Sequence, residues 1–208
     1  IEAGTFLIAS AATLSSITIS PVIPQHLEAV LDKLRETGSK IAIKGNQISI
    51  STKLIKPTNI ETAPFPGFPT DLQAPFTALM SIAEGESRIC ENIFENRMNH
   101  VALLNKMGAS IRIEKNIAHI SGVKNLKSES LIGLDLRSTA AIIIAALTAD
   151  NLSIVGGLEH LDRGYESFEC KLNNLGANIT REYNERIFVD PKNASRDLPS
   201  NKKNYQAA

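Results

Sequence analysis

Three stretches of this 208-residue chain repeat one pattern, and the pattern limits the folds open to it. They are VLDKLRETGSKIAI, VALLNKMGASIRI and FECKLNNLGANITR. Aligned on their glycines, Gly38, Gly108 and Gly176 stand 70 and then 68 residues apart. Leu34, Leu104 and Leu172 lie four residues before those glycines, and Ile41, Ile111 and Ile179 lie three after them. Each stretch reads as an amphipathic helix, closed by a glycine in the left-handed cap position and followed by a strand.

The repeat extends in both directions. Downstream, IAIKGNQISIS, IRIEKNIAHIS and ITREYNERIFV each read as a hairpin, with polar turn residues between alternating runs. Upstream comes a strand, SITISPV, SRICENIF or LSIVGGLE, and before it an apolar segment, AGTFLIASAAT, LQAPFTALMSIA or RSTAAIIIAALTA. The unit is helix, strand, helix, strand, strand. Three of them fill residues 1–189, at about 1–56, 57–124 and 125–189. One such unit cannot bury its apolar face alone, so three are expected to share a core. The apolar segments suit central helices, because they are hydrophobic on nearly every face. The expectation is one α/β domain of near-threefold internal symmetry, with inner helices and outer sheets. Residues 190–208 contain few large apolar side chains and are expected to form a disordered tail.

Composition narrows the partners. Lys plus Arg and Asp plus Glu each number 22, so a net charge of zero offers no general attraction for nucleic acid or an anionic membrane. Cys90 and Cys170 are far apart and form no CxxC, which argues against a disulfide framework or a zinc site and for reduced thiols in the cytoplasm. The most apolar run, AAIIIAALTA, falls short of the ~20 residues that span a bilayer. The chain opens on Ile1 inside a helical pattern, as expected of a fragment or an excised domain.

The acidic residues recur at one place in the unit. Glu2, Asp71 and Asp135 each fall just ahead of an apolar helix. Asp71, in GFPTDLQAPF, is flanked by Pro66, Pro69 and Pro75, which stiffen the entry to the helix. As an N-cap it is followed by Leu72, Gln73, Ala74 and Pro75, where a missing proline N–H loses no hydrogen bond. A cap worth ~1 kcal/mol accounts for Asp71 by itself, and the same account serves Asp135 in GLDLRST. A chemical account also fits. Three buried helices that begin at one end direct three positive dipole ends at one region, which suits a phosphate or carboxylate. Arg97 in FENRMNH, Arg163 in EHLDRGYE and Arg137 two residues past Asp135 can add forked donors there. The alternative for each arginine is a surface ion pair worth under ~1 kcal/mol.

Other candidates carry less. His26, His100, His119 and His160 have no HxxxH spacing, and His100 reads as a helix-end histidine. Cys90 reads as a core residue of a strand. No P-loop or GxSxG occurs, and SIVGGLEHL holds a glycine pair without GxGxxG.

FPTDLQAPF, FENRMNHV, LDLRSTAA and HLDRGYE, with IEAGTFLIAS at the start, closely resemble the enolpyruvyl transferases. The likeness is to the family of UDP-N-acetylglucosamine 1-carboxyvinyltransferases and runs from Ile1 to about Arg181. The shikimate-pathway sister, 3-phosphoshikimate 1-carboxyvinyltransferase, is expected to share the architecture but not these motifs. The resemblance implies a two-domain bacterial enzyme, each domain an inside-out α/β barrel of three units, with the active site in the cleft between them. It implies transfer of enolpyruvate from phosphoenolpyruvate to the 3'-hydroxyl of UDP-N-acetylglucosamine, with release of phosphate, through a tetrahedral phospholactoyl ketal. That step opens peptidoglycan synthesis, and with it cell wall growth, shape and division. No metal or cofactor is implied.

By the same resemblance, Asp71 is the base that takes the proton of the attacking hydroxyl. Ile93 contacts the nucleotide sugar through its backbone, and Arg97 is a cleft arginine. Arg163 binds the phosphate and carboxylate region of phosphoenolpyruvate. Asp135, Leu136 and Arg137 form a cleft segment that rearranges around ligand. The family's first domain supplies a lysine and an arginine for phosphoenolpyruvate and a cysteine or aspartate as general acid. That half has no counterpart here, and neither Cys90 nor Cys170 resembles that acid. The expectation is therefore a C-terminal half-enzyme that needs its N-terminal domain and is inactive alone. A non-catalytic half that only binds ligand or a partner domain is the alternative, and the shikimate activity is a remoter one.

Overall fold

The computed structural model describes residues 1–182, 186–193 and 204–206. The first unit runs through α1 (Glu2–Ala12), β1 (Ser16–Ser20), α2 (Glu28–Glu36), β2 (Lys40–Lys44) and β3 (Gln47–Ser51). The second contains β4 (Ile60–Glu61), α3 (Gln73–Met80), β5 (Glu86–Cys90), α4 (Asn99–Lys106), β6 (Ser110–Glu114) and β7 (Ile117–Ser121). The third contains β8 (Ser130–Ile132), α5 (Leu136–Ala146), β9 (Ser153–Gly156), a single-turn α6 (Leu158–Leu161), α7 (Phe168–Asn174), β10 (Ile179–Glu182) and β11 (Arg186–Val189). The expected helix, strand, helix, hairpin order is present three times.

Two strands within the units went unseen in the sequence. β4 and β8 lead their units and pair parallel with β5 and β9. Strands of two and three residues are too short to show a period, so NIET and SLIG carry no strand signal.

Each unit makes one four-stranded sheet, ordered β4-β5-β7-β6 in the second and β8-β9-β11-β10 in the third. The sheets stay separate, and among the described residues no strand barrel closes. The helices close the fold instead. α1, α3 and α5 touch one another at the centre. Residues 4–12 of α1, all of α3 and residues 138–146 of α5 are buried, so these helices are dry on every face. The outer helices bury one face each: Val30, Leu31 and Leu34 in α2, Val101, Leu103 and Leu104 in α4, and Phe168 and Leu172 in α7. Gly38, Gly108 and Gly176 adopt φ of 98°, 86° and 97°, which a side chain resists, and each releases its helix into the next strand.

Cys90 is on β5 as expected, but it is not a core residue. It is half-buried on the sheet face away from the helices, and its thiol lies against Asn92 and Asn116. The tail also departs from expectation where it is described. Asp190 N donates to Asn178 O at 3.0 Å, Pro191–Asn193 form a 3-10 turn, and Asn204–Gln206 form β12, parallel to β1. The first sheet is therefore β12-β1-β3-β2. The rest of residues 190–208 lies outside the described residues.

Candidate active site

The three central helices begin together. A Cβ on Gly4 would lie 2.3 Å from Leu72 Cδ1, so glycine is what lets the first turn of α1 approach the entry to α3. Arg137, in the first turn of α5, reaches Asp71 at the same entry. The positive ends of three helix dipoles thus meet at one end of the molecule.

Asp71 is not a helix cap. Thr70–Leu72 wind as a 3-10 turn, closed by Leu72 N donating to Pro69 O at 3.0 Å, and α3 starts only at Gln73. The turn directs the Asp71 carboxylate sideways, towards two arginines. Its Oδ1 accepts from Arg137 Nε at 2.6 Å, with Arg137 Nη2 also against it, and lies 3.5 Å from Arg97 Nη1. Oδ2 has no partner among the described residues, and the side chain is 28% exposed. Asp135, by contrast, is a true cap. Its Oδ1 accepts from the backbone N–H of Arg137 and Ser138 at 2.8 and 3.0 Å, and Ser138 Oγ accepts from Asp135 N. The cap fixes the first turn of α5 and so aims Arg137.

The loop bearing Ile93 and Arg97 is organised by Glu91, which is 3% exposed and lies where β5 ends. Its Oε1 accepts from Thr62 Oγ1 and from the backbone N–H of Ile93 and Phe94, at 2.9, 2.9 and 3.1 Å. Its Oε2 accepts from Thr70 Oγ1 at 2.8 Å, and that hydroxyl in turn accepts from Arg97 Nη1 at 3.1 Å. Glu91 therefore ties the Asp71 turn to the arginine loop. Arg97 lies over the Phe94 ring at 3.8 Å. Partial burial and then the neighbouring Arg137 charge lower the Arg97 pKa from its usual value, against the pull of Asp71 and Glu91. Beside this loop opens a cavity of about 920 Å³, lined by Ile93, Phe94, Arg97, Met98, Lys115 and Leu134.

Arg163 does not join the cluster around Asp71. It is exposed and forms no ion pair among the described residues. Its segment is nonetheless anchored on both sides. A Cβ on Gly164 would sit 3.0 Å from Leu136 Cδ1, and the buried Tyr165 hydroxyl pairs with Thr5 Oγ1 at 2.8 Å. Burial raises the Tyr165 pKa to about 12, so it stays a neutral phenol. Glu2 meets Lys171 at 2.7 Å instead of facing the Asp71 cluster. Sequence reasoning thus named Asp71, Arg97, Arg137, Asp135, Leu136 and Ile93 at this end of the fold. It missed Glu91, Thr62, Thr70 and Tyr165. The one available hint at Glu91 was an acidic residue directly after the short strand pattern SRIC.

His100, the second residue of α4, is 2% exposed, and its Nε2 has no hydrogen-bond partner among the described residues. Burial drives its pKa down to about 4, against the attraction of Asp135. The folded state thus refuses a proton that the unfolded chain takes up near pH 6.5. Stability is expected to fall as pH drops from about 6.5 towards 4, by up to ~1.4 kcal/mol per pH unit. His100→Leu should flatten that part of the curve. Urea unfolding across the pH range checks this, and equal slopes for both chains would remove His100 as the cause.

Comparison with known proteins places this geometry. The family model described as EPSP synthase (3-phosphoshikimate 1-carboxyvinyltransferase) matches residues 1–172. A UDP-N-acetylglucosamine 1-carboxyvinyltransferase of Prochlorococcus marinus (strain MIT 9312) is 69% identical over 190 residues, covering 91% of this chain and 42% of the relative. One from strain MIT 9301 is 64% identical over 208 residues, covering 100% of this chain and 46% of the relative. The chain thus spans less than half the length of these curated relatives. Among solved structures, the enolpyruvyl transferase NikO from Streptomyces tendae superposes with a TM-score of 0.76 at 24% identity, covering 85% of this chain and 42% of that one. EPSP synthase from Acinetobacter baumannii does so with a TM-score of 0.70 at 16% identity, covering 91% of this chain and 45% of that one. These two likenesses show the fold. No helix among the described residues is long and apolar enough to cross a membrane. Threefold architecture, converging helix starts and the match over residues 1–172 together make the chain a member of the EPSP synthase (3-phosphoshikimate 1-carboxyvinyltransferase) family, the enolpyruvyl transferases.

Proposed function

We propose that this chain is the base-bearing half of a cytoplasmic enzyme that moves enolpyruvate from phosphoenolpyruvate to the 3'-hydroxyl of UDP-N-acetylglucosamine. The reading is carried by one observation: Asp71 Oδ1 is clamped by Arg137 and Arg97 while Oδ2 is left without a partner among the described residues. A carboxylate fixed through one oxygen offers the other in a defined direction, as a general base requires. The sugar hydroxyl gives its proton to Asp71 as its oxygen bonds to C2 of phosphoenolpyruvate, and a proton from a general acid in the other half goes to C3. Loss of a C3 proton and departure of phosphate then restore the double bond. Arg97, Arg137 and Arg163 provide positive charge for the phosphate and carboxylate groups, and the helix starts add to it. An anion that draws Arg137 away from Asp71 also frees the carboxylate to take the proton, so binding and base activation are linked. Ile93, its N–H held by Glu91, lines the cavity suited to the sugar nucleotide. The family name points to shikimate 3-phosphate as acceptor. The 64–69% identity to the UDP-N-acetylglucosamine transferases, against 16% to an EPSP synthase, favours the sugar nucleotide.

The test is phosphate release, followed with this chain alone and with the separately expressed N-terminal half of a relative. Release from phosphoenolpyruvate and UDP-N-acetylglucosamine is expected only in the mixture. Turnover by this chain alone would show that the other half is dispensable. Turnover with shikimate 3-phosphate would reassign the acceptor. Silence from two folded halves, with no heat of UDP-N-acetylglucosamine binding by titration, would leave a scaffold without the chemistry.

A further inference from the structure

The third unit departs from its sisters at one position of the repeat. Two residues past Ile41, Ile111 and Ile179 stand Ile43, Ile113 and Arg181. Strand alternation puts each on the same face as the isoleucine before it. Ile113 borders the cavity beside the Arg97 loop. Arg181, at the matching place on β10, has a side chain only 17% exposed and reaches the segment that carries Arg163.

Arg181 grips the residue next to Arg163. Its Nη1 donates to Asp162 Oδ1 at 3.0 Å and its Nη2 to Asp162 Oδ2 at 2.5 Å, so both oxygens of that carboxylate are taken. Nη1 also lies 3.4 Å from Oε2 of the nearly buried Glu169 on α7. The Arg181 Nε–H is buried without an acceptor among the described residues, so the guanidinium is turned end-on to Asp162 at the expense of its own remaining donor. With Gly164 against Leu136 and Tyr165 on Thr5, the chain is held on both sides of Arg163.

The charges around Arg163 follow the same plan. Residues 158–171 hold four carboxylates, and each has a basic group other than Arg163 beside it. Glu159 lies 3.7 Å from His160 Nε2, Asp162 and Glu169 share Arg181, and Glu166 lies 3.6 Å from Lys171 Nζ. Arg163 stands among them exposed, with no ion pair among the described residues. Asp162, its chain neighbour in a turn, is the carboxylate best placed to capture it. Left unpaired, Asp162 would bind the Arg163 guanidinium or repel an anion approaching it.

We propose that Arg181 is a positioning residue: by occupying both oxygens of Asp162 it keeps Arg163 unpaired and available to the phosphate and carboxylate of phosphoenolpyruvate. The proposal rests on the reading of Arg163 as a phosphoenolpyruvate ligand.

Titration of phosphoenolpyruvate into the full chain at low salt, followed by the backbone amide shifts of Gly164 and Tyr165, tests it. Arg181→Gln should weaken binding by about threefold to tenfold, the range of one partly exposed charge pair. Arg181→Gln combined with Asp162→Asn should bind like the parent, because the amide carries no charge to compete for Arg163. A merely structural role for Arg181 would leave the double variant as weak as the single one. Arg181→Lys, which keeps a cation at Asp162, should fall between the parent and Arg181→Gln. Asp162→Asn alone should bind at least as tightly as the parent, and this holds as a test even if Arg181→Gln unfolds. Weaker binding by Asp162→Asn, equal binding by the parent and Arg181→Gln, or no recovery in the double variant would overturn the positioning role. Arg163→Gln separates the two claims. If it weakens binding and Arg181→Gln does not, only the positioning role falls. If it binds like the parent, or if the parent shows no response, the assignment of Arg163 to phosphoenolpyruvate falls and this proposal with it.

Discussion

Replacing Asp71 by asparagine is expected to cut turnover of the reconstituted enzyme by about 10²- to 10⁴-fold, the usual contribution of a general base. Asparagine has nearly the same shape, and its amide oxygen can still accept from Arg137 and Arg97, so the turn and both guanidinium groups keep their places. It cannot take up a proton at Oδ2. The loss should therefore fall on kcat, with UDP-N-acetylglucosamine affinity by titration within a few-fold of the parent and an unchanged melting temperature. If turnover survives, Asp71 only positions the arginines. If affinity collapses along with turnover, its role is in binding the sugar nucleotide.

The second large effect is expected at a residue that touches no proposed reacting atom. Glu91→Ala leaves the partly buried N–H groups of Ile93 and Phe94 without their acceptor and releases Thr62 and Thr70. Hydroxyls can rotate to another acceptor, whereas these amides cannot follow. Unfolding in urea should show a loss of about 1–3 kcal/mol, since the bond to the buried Thr62 hydroxyl is lost outright and the two partly buried amides lose their acceptor. Glu91→Gln retains one carbonyl oxygen and should lose less. In the reconstituted enzyme, Glu91→Ala should also raise KM more than it lowers kcat, because the Ile93 loop borders the cavity while Asp71 keeps Arg137. A melting curve unchanged from the parent would show that the loop does not depend on Glu91.

The readings of Asp71 and Asp135 show where sequence stopped being informative. Both precede an apolar helix, and one rule made both of them caps. Asp135 is a cap, because Ser138 supplies the reciprocal half of a capping box within four residues. Asp71 is not, because the 3-10 turn delays the start of α3 from Leu72 to Gln73 and the carboxylate finds Arg137, 66 positions along the chain. The three arginines, grouped by loop position, likewise separated once folded. Arg97 and Arg137 meet at Asp71, and Arg163 stays exposed on a segment held by Tyr165 and Gly164.

Three units, three buried helices and three glycine caps were written in the chain, because each rests on a period or spacing within one turn or one strand. Those signals are local: a left-handed glycine after an amphipathic run, or a helix apolar on every face, needs no knowledge of the partner. Tertiary structure alone decided the rest. It made Glu91 the hub of the arginine loop, left Oδ2 of Asp71 open, and set β12 beside β1 from the far end of the chain. Each of these depends on groups that meet only when distant segments pack. A carboxylate, an arginine or a three-residue strand has no signature of its own until it has a partner.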